Sequence, residues 1–128
     1  MTINQVIDLL DQQKPNAYSE KQKRHWLSQF EDMAFREVIE THENGAEGFV
    51  GYDENTDGDT VLLLDDGFAD VYVQWLCAMI DFANQETSRY TNDMIMFNAR
   101  YRDWSSWYNR THMPRTAHVR GAADRIRR

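Results

Sequence analysis

The stretch "DVYVQWLCAMIDFANQE" does most to limit what this chain can become. Tyr72, Trp75, Leu76, Met79, Ile80 and Ala83 recur in it at intervals of three and four, the period of an α-helix. Their stripe is broad, which marks a helix packed centrally rather than one floating on a surface. The rest of the chain must supply the surfaces it packs against.

Three further segments fit that need. "TINQVIDLLDQQ" places Ile3, Val6, Ile7 and Leu10 on one face, with Thr2 as N-cap and a stop at Lys14, Pro15 and Asn16. Ser19 and Gln22 have the spacing of a capping box, and Trp26, Phe30, Met33, Ala34 and Val38 follow on one stripe toward Glu40. The charged residues of 20–24 are expected to form that helix's solvated face. After an interruption at "RYTN", where Thr91 or Asn92 can cap, two overlapping stripes run toward Pro114. One is Met94, Phe97, Tyr101, Trp104 and Tyr108; the other is Ile95, Asn98, Tyr101, Arg102, Ser105 and Tyr108. The expected fold is all-α: a small bundle of about four helices over 1–114, followed by an Arg-rich tail over 115–128. Its core is expected to hold Trp26, Phe30, Met33, Tyr72, Trp75, Leu76, Met79, Ile80, Phe97, Tyr101 and Trp104.

Between residues 41 and 67 the helical period vanishes, and five of the six glycines fall there. Loops beyond about 12–15 residues tend to be functional or mobile, and mobility is the expectation here. "GFVGY" and "TVLLLD" are the candidates for a short hairpin. Asp53, Asn55, Asp57, Gly58 and Asp59 match the opening positions of a calcium loop, but Leu64 stands where the bidentate glutamate is required. An acidic solvated loop is the better reading.

A chain of 128 residues fits one domain and can bury one core without metal or disulfide staples. Cys77 is the only cysteine and lies in an apolar run, so it reads as a core residue. The sequence shows no secretory h-region and no apolar run near the ~18 residues that span a bilayer, so a soluble protein made in a reducing cytoplasm, with no membrane partner, is expected. Net charge is −7, unevenly spread. Residues 1–88 hold eighteen acids against five Lys/Arg, while residues 89–128 hold three acids against nine arginines and no lysine. Arginine's planar fork serves carboxylate pairing and aromatic stacking as well as phosphate contact, so this end suits a protein interface at least as well as DNA.

Catalytic and metal patterns are missing. His25, His42, His112 and His118 have no metal-ligand spacing, and no P-loop, dinucleotide fingerprint or nucleophile elbow occurs. An enzyme is not expected. The aromatic, arginine-threaded segment 89–114 leaves two readings: a helix core bordering an interface, or a stacking platform for nucleic acid. Helical spacing of its aromatics favours the first.

"NAYSEKQKRHWLSQFEDMAFREVIETH" and "LLLDDGFADVYVQWLCAMIDFANQETSRYTNDMIMFNARYRDWSSWYNRTHMP" resemble small head-morphogenesis proteins of tailed phages and prophages of Gram-positive bacteria, the head–tail connector (adaptor) family. The likeness runs over about 16–114. It is most specific at Tyr72, Asp81, Asn84, Glu86, Arg89, Tyr90, Asn92, Phe97, Asn98, Tyr101, Arg110, Thr111, His112, Met113 and Pro114. At "LLLDDGFAD" the sequence departs from the family, which commonly carries a proline-containing turn there. The resemblance implies a virion neck protein, made in the host cytoplasm, that assembles as a dodecameric ring without a cofactor. Its implied partners are the portal protein and a stopper or tail-completion protein, with genomic DNA passing unbound through the ring. It implies that the C-terminal segment reaches the portal, through Arg115, Arg120, Arg125, Arg127 and Arg128. The competing expectation is a phage DNA-binding or packaging accessory protein that uses the same arginines on DNA.

Overall fold

The structure, a computed structural model, describes residues 1–43 and 45–115. Among these residues there are four α-helices: α1 (Ile3–Gln13), α2 (Glu20–Glu37), α3 (Ala69–Ala83) and α4 (Thr87–Thr111). Single 3-10 turns follow α2 (Ile39–Thr41) and precede α3 (Asp66–Phe68). The all-α bundle expected from periodicity is present, and α3 packs against each of the other three helices.

The helix starts follow local chemistry. At α1 the Gln5 N–H donates to Thr2 Oγ1 at 3.2 Å while the Thr2 N–H donates to Gln5 Oε1 at 2.9 Å, a complete capping box. Ser19 Oγ likewise accepts from the Gln22 N–H at 3.1 Å. The start of α4 differs from expectation. It begins at Thr87, so Thr91 and Asn92 lie inside the helix and cap nothing; the Thr91 hydroxyl donates back to Thr87 O at 3.0 Å. The chain reverses between α3 and α4 over three residues, with Gln85 in the left-handed region at φ 61°. Glycine or asparagine usually marks such a turn, which is why this one passed unseen. The other end of α2 also tightens early: the α-helix stops at Glu37, and Glu40 belongs to the 3-10 turn.

Phe30 of α2 lies at the centre of the core. Its ring meets Tyr72 at 5.3 Å, Phe97 at 5.6 Å and Tyr101 at 5.7 Å, all edge-on, the favoured geometry for aromatic pairs. Trp26, Leu76, Ile80 and Trp104 are buried as expected, whereas Met33, Trp75, Met79 and Tyr101 sit at the core's margin. Their partial exposure has a polar cause in two cases. Trp75 Nε1 donates to Trp26 O at 2.8 Å, and the Tyr101 hydroxyl donates to Glu37 Oε1 at 2.7 Å. Cys77 is half-buried against the same core. The whole α1 stripe, Ile3, Val6, Ile7 and Leu10, is buried, together with Leu27, Ile39, Leu62, Leu64, Val71 and Tyr108.

The face at the start of α2 is not simply solvated. Lys23 and Arg24 are each 5 % exposed. Their aliphatic stems lie inside while the charged ends find partners. Lys23 Nζ pairs with Asp11 at 2.8 Å, and Arg24 donates to Asp53 O at 2.7 Å and Thr56 O at 2.6 Å, with Glu20 at 2.9 Å.

Those contacts also change the picture of the long connection. Among the described residues it forms no strand and no hairpin; the bridges are isolated, pairing Thr2 with Val61 and His42 with Pro114. The connection is nonetheless tied down. The amides of Ile3 and Asn4 donate to Thr60 O and Gly58 O, Leu62 N–H donates to Met1 O, and Ser28 Oγ accepts the Tyr52 N–H at 2.7 Å. It is a strap across α1 and α2, not an unpacked loop. Asp53 and Asp57 spend their carboxylates on the amides of Asn55 and Asp59, as Asx turns do.

Candidate functional site

Three features of the bundle carry polar or recognition chemistry. The first is internal. Glu31 projects from the buried face of α2, between Leu27 and Phe35, and has no exposed surface. The Tyr72 hydroxyl donates to its Oε1 at 2.5 Å; the Tyr52 hydroxyl and the Leu63 N–H donate to Oε2 at 2.7 and 2.9 Å. Tyr72 in turn accepts the Leu64 N–H at 2.8 Å. Burial pushes the Glu31 carboxyl up from the ordinary range, and the three donors pull it part of the way back. Burial and the facing carboxylate raise both tyrosines, so each hydroxyl keeps its proton and stays a donor. A carboxylate so enclosed and so fully engaged holds elements together. It clasps the strap to α2 and α3.

The second feature lies where the end of α1 meets the α3–α4 turn. Asp81 is 2 % exposed and pairs with Lys14 at 2.8 Å, with Asp93 of α4 beside it. Above them an open cleft of about 680 Å³ is walled by Phe82, Gln85, Glu86, Thr87 and Tyr90. The Cys77 thiol close by is pushed up to about 11, first by burial and then by Asp93, which keeps it protonated and a poor nucleophile.

The third feature is the outward side of α4. Asn92, Ile95, Met96, Ala99, Arg102, Asp103, Ser106 and Arg110 repeat at three- and four-residue spacing and are all exposed. Ile95 is 62 % and Met96 45 % exposed, while Phe97, Trp104 and Tyr108 occupy the opposite, buried side. The helix is therefore two-sided: aromatic toward the core, and mixed apolar and basic toward solvent.

The residues singled out from sequence divide among these places. Tyr72 belongs to the Glu31 clasp, Phe97 to the core, and Tyr101 to the bond with Glu37. Arg89, Asn92, Asn98 and Arg110 are exposed on α4, and Tyr90 lies against Phe82 with ring centroids 5.2 Å apart. His112 stacks on Tyr108 at 3.7 Å, and Pro114 bridges to His42. Arg115 is seated on the bundle: its N–H donates to Thr41 O at 3.0 Å and its guanidinium to Glu40 O. Arg120, Arg125, Arg127 and Arg128 lie outside the described residues, as does His118. Glu31, Tyr52, Lys23 and Arg24 were missed. Only Glu31 left a trace in the sequence, as a carboxylate standing four residues from both Leu27 and Phe35 on an apolar stripe.

Among the described residues no group of three His, Cys, Asp or Glu side chains is placed to hold a metal ion, and no helix is long and apolar enough to cross a membrane. Comparison of the chain with family models, curated proteins and solved structures finds no match.

Proposed function

We propose that the protein is an assembly component, acting through surfaces rather than through a reaction pocket. The observation that carries this is the outward face of α4, where Ile95 and Met96 stand exposed among arginines on the longest helix of the bundle. An exposed apolar centre with a polar rim is the usual anatomy of a protein-docking patch. The buried polar groups support the same reading from the other side, because Glu31 is committed to holding the strap.

More particularly, we propose a head–tail connector of a tailed phage or prophage. The protein would form a ring beneath the portal, join it to a stopper or tail-completion protein, and line part of the DNA channel. The sequence resemblance supports this, as does the charge distribution. Before residue 89 the chain is strongly acidic, which suits a conduit that DNA must slide through without being held. The basic end is suited to an acidic protein surface, since arginine pairs carboxylates in bidentate fashion.

The second reading, a DNA-binding or packaging accessory protein, rests on the same excess of arginine after residue 88. The two separate in a titration against duplex DNA at low and at physiological salt. A phosphate-contacting protein binds at low salt and loses affinity steeply as salt rises. A connector shows no appreciable affinity at either, and salt-sensitive binding overturns the connector reading.

A further inference from the structure

We propose that Asp81 and Asp93 form a proton-sharing carboxyl pair, a brace between α3, α4 and the end of α1 that tightens in mild acid. The two residues come from adjacent antiparallel helices, and their side chains lie within hydrogen-bonding reach of each other. Asp81 is 2 % exposed, and its Oδ1 already accepts from Lys14 Nζ at 2.8 Å. Asp93 Oδ2 is buried and has no hydrogen-bond partner. With both carboxyls ionised, neither can donate to the other, and an oxygen is left unsatisfied inside the protein. One proton on the pair supplies the missing donor and removes the repulsion between like charges.

The charged and titratable groups facing the pair are Lys14 from the end of α1, Cys77 from α3 and Arg89 from α4. Lys14 and Arg89 both favour ionised carboxylates. Burial, and then the bond and charge of Asp81, outweigh them at Asp93, which is raised from 3.8 to about 6. Asp81 moves the opposite way and is held below its ordinary range, so over that window the pair as a whole carries one proton while Asp81 keeps its ion pair with Lys14. The sign follows. Between 3.8 and about 6 the folded chain binds a proton that the unfolded chain releases, so this contribution to stability is largest in acid and is lost as pH rises through 6. The Asp81 contribution is present at neutral pH and is lost only at lower pH, through its depressed folded value.

The test compares melting temperatures of the intact protein and Asp93→Asn at about pH 5 and about pH 7.5. The asparagine amide donates to Asp81 at every pH and so stands in for the protonated acid. The expected result is a variant that melts above the wild type at the higher pH and loses that advantage at the lower. Other titrating groups, Glu31 among them, are common to both proteins and cancel in the comparison. The same offset at both pH values overturns the proposal. Should the variant fail to fold, carboxyl carbon NMR on the wild type decides: a midpoint raised toward 6 at either carboxyl of the pair supports it, and two midpoints at or below the ordinary 3.8 overturn it.

Discussion

Tyr72 on α3 and Glu31 on α2 meet hydroxyl to carboxylate at 2.5 Å, in a position where neither side chain touches solvent. Forty-one residues separate them in sequence, and between them lies the whole strap, which the same carboxylate holds through Tyr52 and Leu63. One buried acid thus joins two helices and the connection between them.

Tyr72→Phe is expected to destabilise the protein by about 1.5–3 kcal/mol, the range for a hydrogen bond to a charged group. The loss includes the Leu64 N–H, which donates to the same hydroxyl and would be left buried without an acceptor. Urea titration measures it. A change below about 0.5 kcal/mol would show that the clasp contributes little.

Glu31 also gives the molecule a pH dependence. Its folded value lies above the ordinary 4.5, so its contribution to stability is fullest in acid and falls as pH rises through the folded value. Glu31→Gln removes that titration. Melting temperature plotted against pH should be flatter for the variant than for the wild type above about pH 4.5. Parallel curves would mean that the carboxyl is not perturbed.

The strap should protect its own amides. Tyr52, Leu62, Leu63 and Leu64 donate to Ser28, Met1, Glu31 and Tyr72, and their hydrogens should exchange slowly in the isolated protein. Val50, fully exposed, should exchange fast. Gly51→Ala forces a side chain into a left-handed conformation at φ 95° and should cost about 1 kcal/mol while speeding exchange at Tyr52. Uniformly fast exchange across the strap would restore the mobile loop expected from its glycine content.

Much of the fold was legible because helix periodicity is a local property. Ile3, Val6, Ile7 and Leu10 show their face within two turns, and so do Phe97, Trp104 and Tyr108. The capping residues Thr2 and Ser19 were legible for the same reason. What stayed hidden depends on partners distant in sequence. Lys23 and Arg24 look solvated until Asp11 and the carbonyls of Asp53 and Thr56 are brought to them. The strap looks loose because its hydrogen bonds go to α1 and α2 rather than along itself. The start of α4 was misplaced because Gln85 makes a left-handed turn without glycine. Of the candidate surfaces, the outward face of α4 was written in the spacing of Asn92, Ile95, Met96 and Ala99, but the stronger aromatic stripe on the other side of the helix drew the reading.

The outward face of α4 should matter for assembly and not for folding. Ile95→Asp with Met96→Lys replaces two exposed side chains, so stability should change by no more than about 0.5 kcal/mol. Self-association or attachment to a partner should be lost, as read by sedimentation. An unfolded double variant would place these residues in the core instead.

The most direct measurement is sedimentation of the intact protein mixed with the portal protein that the proposed role would pair it with, at physiological salt. The proposed connector role predicts a stoichiometric complex carrying many copies of the chain, formed without DNA and lost when residues 115–128 are removed from a variant that still melts as the intact protein does. An intact protein that sediments apart from the portal at every concentration would contradict it.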